Sequence, residues 1–134
     1  MAMTRAGERA PTAAEMELIA DAAYRRIPER LAALVHDVVI RIEEFPDDDV
    51  AREMTLESDY DLLGLYSGVS LDRQSVSDVR ENVDMIFLYR RPIIDYWAET
   101  GETLEAVLRH VLIHEIGHHF GLSDEEMERI EEEA

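Results

Sequence analysis

Apolar residues recur at Met16, Ile19, Ala20, Ala23 and Ile27, three or four positions apart, which predicts an amphipathic helix. Thr12 stands just before it with Glu15 three residues on, the spacing of a capping box. Pro28 bends or restarts this helix, and Leu31, Leu34 and Val35 carry its stripe onward. The period then changes. Val38-Val39-Ile40-Arg41-Ile42-Glu43-Glu44-Phe45 is β-branched and partly alternating, a strand ended by Pro46 and the aspartates after it. Residues 49–57 predict a short helix, 62–68 a short strand bounded by glycines, and 69–82 a polar loop. Met85-Ile86-Phe87-Leu88-Tyr89 is a compact apolar run and predicts the second long strand. Pro92 ends that strand and fits the first position of a helix through Trp97.

Gly101 parts this helix from a longer one, in which Leu104, Val107, Leu108, Val111 and Leu112 form the apolar face and His118 lies near the end. Gly121 fits its C-terminal break. Ser123 and Glu126 are spaced as a second capping box, opening a last helix to the C-terminus. The coarse order is α-β-α-β-β-α-α-α. That is an α+β fold, a small mixed β-sheet packed with helices. Residues 1–11 read as a loose N-terminal arm and 12–134 as a single domain.

Composition narrows the function. The 134 residues are 46% hydrophobic, enough for a packed core and too apolar for a disordered chain. Acidic residues number 31 against 13 basic ones, for a net charge of −18, and every basic residue is Arg. Without Lys there is neither a Walker-type phosphate loop nor a Schiff-base lysine. With so acidic a surface, no nucleic-acid partner is expected. Without Cys there is no disulfide scaffold, thiolate metal ligand or thiol nucleophile. The first residues lack the apolar core of a secretory signal and no run is long enough for a membrane span, so no membrane partner is expected and the chain reads as soluble and cytoplasmic.

Four of the five histidines fall between His110 and His119. Within that run is His114-Glu115-x-x-His118. Residues four apart on a helix share one face, so both imidazoles can reach one metal ion. Glu115 does not readily share that ion, but its carboxylate can act as general base on a zinc-bound water. The pattern continues with Gly121 and Asp124 at intervals of three. On a continuous helix Asp124 would lie about 15 Å along the axis from His114, out of reach of the same ion. A glycine with positive φ would stop the helix and turn the chain back, so that Asp124 completes a site of two His and one Asp.

Asp124 has a second reading, as an acidic residue favoured by the dipole in a helix's first turn. Ser123 can take the capping role and free it. Glu128 on the last helix is the rival third ligand. His110, one turn before His114, fits either a partly buried residue satisfied by hydrogen bonds or a group near the substrate. His119, turned about 100° from His118, is placed to pack or to donate to a carbonyl. His36 is isolated and carries no role.

The extended pattern His114-Glu115-x-x-His118-x-x-Gly121-x-x-Asp124 resembles the metzincin form of the zincin metallopeptidases, with Asp in the third-ligand place. Together with Leu63-Gly64-Leu65-Tyr66-Ser67-Gly68, Leu88-Tyr89-Arg90-Arg91-Pro92-Ile93 and the run from His114 to Glu126, it is similar to a family of small bacterial zincin-like proteins, the mini-zincins. The likeness spans about residues 30 to 130. It implies a minimal zincin-like fold with the HExxH helix beside a small mixed sheet. It also implies Zn2+ on His114, His118 and Asp124, and a peptide or protein substrate along the edge strand.

The full metzincin pattern has a later turn with a Met beneath the metal. Here Met127 instead lies in a predicted helix. Tyr66, Tyr89 and Tyr96 are the candidates to steady an oxyanion. The expected function is a hydrolase, zinc-dependent peptide-bond hydrolysis of the metalloendopeptidase kind with Glu115 as base. The alternative is a catalytically silent, zinc-stabilised protein-binding module, which would keep the ligands without needing Glu115. A third reading takes the acidic tail, Glu125, Glu126, Glu128, Glu131, Glu132 and Glu133, as a surface for a basic partner, against the plainer one of a solvated helix face.

Overall fold

The computed structural model describes residues 9–35, 37–68 and 84–133. His36, most of the N-terminal arm and the loop expected over 69–82 lie outside the described residues. The described elements are α1 (Ala13–Tyr24), α2 (Glu29–Ala32), β1 (Val39–Glu43), α3 (Asp48–Glu53), β2 (Gly64–Ser67), β3 (Met85–Tyr89), α4 (Arg90–Glu99), α5 (Leu104–His119) and α6 (Asp124–Glu133). The fold is mixed α+β, six helices and a three-stranded mixed sheet among the described residues, consistent with a minimal zincin-like fold.

Local signals fix most boundaries. Thr12 and Glu15 close a full capping box at the start of α1. Asp47 caps α3 and Thr103 caps α5, each accepting a backbone N–H three residues on. Three expectations needed adjustment. The short helix expected over 49–57 is α3, which ends at Glu53. α1 stops at Tyr24, and Pro28 is the N-cap of a separate short helix, α2. Pro28 has no N–H to donate back into α1, so the chain restarts there instead of bending. Pro92 is the third residue of α4, not the first. The first turn of a helix has unused N–H groups, so proline costs little anywhere in it. Arg91 N–H instead bonds the Glu44 carbonyl, which ties the start of α4 to the end of β1.

The strand order is β1-β3-β2, with β1 parallel and β2 antiparallel to β3. The most apolar strand is therefore central, and β2 is an edge among the described residues. Ile86 and Leu88 of β3 are fully buried in one core cluster with α5 residues Leu108, Leu112 and Ile116. α1 packs on α5 and β1, bringing Met16, Ala20 and Ala23 into the same core. α5 is the buried spine of the molecule, with eight of its 16 residues buried. Among the described residues no helix is long and apolar enough to cross a membrane.

Candidate metal centre

α5 leaves few polar positions. His110, His114 and His118 form a stripe along it, and Glu115 and His119 lie further round. Each step of four residues rotates the side chain by about 40°. The stripe therefore drifts from the face toward α6, where His110 and His114 lie, to the face toward β2, where Glu115 lies. His118 stands between the two.

The helix ends as the glycine predicted. Gly121 has φ of 78°, in the left-handed region. Its N–H bonds the His118 carbonyl, and Leu122 N–H bonds the Gly117 carbonyl at 2.8 Å, the two bonds of a Schellman motif. Ser123 and Glu126 then form a reciprocal capping box at the start of α6. The cap is thus taken by Ser123, and the Asp124 side chain is left 88% exposed. α6 runs back along α5. Asp124 Oδ1 lies 3.9 Å from His118 Nε2, and Met127 packs on Gly117. Glu131 reaches His110 Nδ1 at 2.7 Å and His114 Nε2 at 3.0 Å.

The sequence-derived site residues are therefore only partly assembled. His118 and Asp124 are close. His114 is one turn away, its ring centroid 6.0 Å from that of His118 at 75°. Its Nε2 is engaged by Glu131. Among the described residues, the set whose donor atoms all lie within 4.8 Å of one another is His110, His114 and Glu131. Glu128, the rival considered from sequence, is exposed on α6.

Glu131 was missed because it sits in an acidic run that reads as solvated surface. A signal existed. Met127 and Ile130 are the buried positions of α6, and Glu131 is one turn on from Met127, so it shares the face turned to α5. Burial pushes the Glu131 carboxyl up, but hydrogen bonds from both histidines and their charge outweigh it, and the net shift is downward.

Glu115 looks the other way. With His118, His119, Leu62, Leu65 and Tyr66 it lines a groove between α5 and β2. Burial pushes its carboxyl up to about 7, against a smaller opposing effect of the backbone N–H donated by Tyr66. The sheet register explains that bond. Tyr89 N–H pairs with the Leu63 carbonyl at 2.9 Å. In an antiparallel ladder the alternate residue Tyr66 then directs its N–H away from β3.

The other candidates are also placed. The Tyr66 ring stacks on His119 with centroids 4.0 Å apart, and its hydroxyl bonds Asp84. Burial and the Asp84 carboxylate both push that hydroxyl's pKa upward. Tyr89 is buried at the end of β3, and its hydroxyl is pushed up to about 12, first by burial and then by nearby Asp47, Glu43 and Glu115. Tyr96 borders the cavity beside His110 and Glu131.

A family model described as zincin-like metallopeptidase matches residues 35–134. The chain belongs to the zincin-like metallopeptidase family. The matched span runs from just after α2 through the HExxH helix and all of α6, so it contains both histidine sets and both carboxylates. No curated protein matches the chain. Zincin membership implies a metal ion, typically zinc. The donor set fits that ion. Two imidazoles and a carboxylate suit zinc, and His118 Nε2 and Asp124 Oδ1 lie 3.9 Å apart across the helix turn.

Proposed function

We propose that this zincin-like chain hydrolyses peptide bonds with the help of zinc. His114, His118 and Asp124 would hold the ion, with His114 turned from Glu131 toward His118. When bound, zinc supplies Lewis-acid activation of water and of the scissile carbonyl.

The observation that carries this reading is the placement of Glu115. Its carboxylate stands in a groove walled by the edge strand, beside His118, and burial brings its pKa to about 7. A carboxylate tuned near neutrality accepts a proton from water and returns it to the leaving amine. An extended peptide added along β2, an edge among the described residues, would run past Glu115 and take the Tyr66 N–H from it. Leu62, Leu65 and Tyr66 give that groove an apolar wall for a side chain. The substrate is thus proposed to be a peptide or protein segment in extended form.

The test is digestion of a peptide library by the zinc-loaded chain, with and without chelator. Chelator-sensitive cleavage that disappears in Glu115→Gln, with zinc still bound, supports the reading. Equal cleavage by wild type and Glu115→Gln sinks it. A chain that binds zinc and cleaves nothing is the silent binding module instead.

A further inference from the structure

We propose that His110, His114 and Glu131 form a second seat for a divalent transition-metal ion, distinct from the His114, His118 and Asp124 set and sharing only His114 with it. The proposal does not depend on peptide hydrolysis.

Three features support it. The first is the donor geometry. Glu131 Oε2 is 2.7 Å from His110 Nδ1, and Oε1 is 3.0 Å from His114 Nε2. The two imidazole rings lie 4.2 Å apart between centroids. An ion about 2.0–2.2 Å from each donor in tetrahedral geometry spaces the donors about 3.3–3.5 Å apart. Each Glu131–histidine pair needs to open by less than about 1 Å, which small side-chain rotations supply, and all three donors already lie within 4.8 Å of one another.

The second feature is the scaffold. His110 and His114 are one turn apart on α5, and the buried Met127 and Ile130 hold α6 against it. Arg30 pairs with Glu133 at 2.7 Å, a surface contact between α2 and the far end of α6. The donors thus sit on rigid elements. The third feature is an open coordination position. A polar cavity lined by Tyr96, Glu102, Arg109, His110 and Glu131 adjoins the cluster and has room for a water ligand. Two nitrogens, one carboxylate oxygen and a water select zinc, cobalt or nickel over magnesium or calcium.

The shared residue gives the seat a consequence. While His114 ligates an ion with His110 and Glu131, its Nε2 is taken from the partner set at His118 and Asp124. Metal held here leaves the Glu115 groove without its three-ligand ion. The two seats therefore compete for one histidine, and the second acts as an off-pathway or resting position for the ion.

Cobalt(II) tests this through its visible absorption, with the metal-stripped full chain, Asp124→Ala, four double variants and far-UV circular dichroism to verify folding. His118→Ala/Asp124→Ala removes the first seat. It is expected to keep a single Co2+ per chain with the intense visible bands of a low-coordinate site. His110→Gln/Asp124→Ala and Glu131→Gln/Asp124→Ala, which leave His114 and His118 in place, are expected to bind at least about 100-fold more weakly than Asp124→Ala alone. If wild type binds Co2+ and folded His118→Ala/Asp124→Ala does not, the second seat is overturned and Glu131 is only a hydrogen-bond partner. If His118→Ala/Asp124→Ala binds as wild type does and His110→Gln/Glu131→Gln binds nothing, the second seat stands. In that case the ligand set given under Proposed function is the one that fails.

Discussion

Met127 fills the space that a methyl group on Gly117 would need. A Cβ built on Gly117 would lie 2.7 Å from Met127 Cγ, and closer still to Sδ. Gly117 is one residue before His118 and three after His114, so this contact sets how near α6 approaches the His114–His118 turn of α5. The Met of the last helix thus does lie under the HExxH helix, packed from α6.

Gly117→Ala is expected to destabilise the chain by about 1–2 kcal/mol. Overpacking costs about 1–3 kcal/mol, and removing a mid-helix glycine returns up to about 1. Met127→Ala is expected to cost about 2–5 kcal/mol by leaving a cavity. The double variant should cost less than the sum by at least about 0.5 kcal/mol, because the small residue relieves the clash. Urea denaturation of the four proteins measures this, and strictly additive losses would count against the contact.

Gly121→Ala places a Cβ on a residue with φ of 78° and is expected to cost about 1–2 kcal/mol, with Gly121→Asn costing less. Because the same turn directs Asp124 toward His118, Gly121→Ala should also weaken zinc binding. Urea denaturation and zinc titration read the two effects separately. Unchanged zinc affinity in a destabilised variant would show that the turn does not position the ligand.

Glu115 makes the metal-free chain less stable as the solution becomes more alkaline. Its carboxyl titrates near 7 when folded, against an ordinary value of 4.5. Below the ordinary value it is neutral in both states. Between the two values the unfolded chain loses the proton and the folded chain keeps it. Stability therefore falls as pH rises from about 4.5 to about 7, by on the order of 1–3 kcal/mol. Glu115→Gln removes this contribution. Compared with wild type it should gain relative stability between pH 5 and pH 8 in chelator-treated samples. A difference that does not change with pH would contradict the burial assigned to Glu115.

Zinc present at about one hundred times its dissociation constant is expected to raise stability by about 2.7 kcal/mol, and chelator should remove that gain. His114→Ala takes a donor from both histidine sets, so its melting temperature should respond little to zinc. A full zinc-induced shift in His114→Ala would place the ion elsewhere.

Much of the fold was legible because its signals are local. Thr12 and Ser123, read as caps, take those places, and the Met85–Tyr89 run is the central strand. Pro28 and Pro92 were read less well, because a proline is compatible with several positions near a helix start. The polar stripe from His110 to His118 was also visible. Its drift toward two different faces matters only once α6 and β2 are in place.

The sequence by itself determined the chemistry on offer. With no Cys, metal ligation must come from His and carboxylate, and the spacing of His114, Glu115, His118, Gly121 and Asp124 put those groups around one helix end. Helix period and capping are short-range, so they can be read along the chain. Only the tertiary structure decided which carboxylate meets which histidine. The turn at Gly121 lays α6 back along α5, with Met127 on Gly117, and so brings Glu131, 17 residues from His114, into contact with it. Likewise, the pairing of β2 with β3 turns the Tyr66 N–H toward Glu115 and gives that carboxylate its groove. Those contacts depend on how buried faces pack, and no spacing along the chain specifies them.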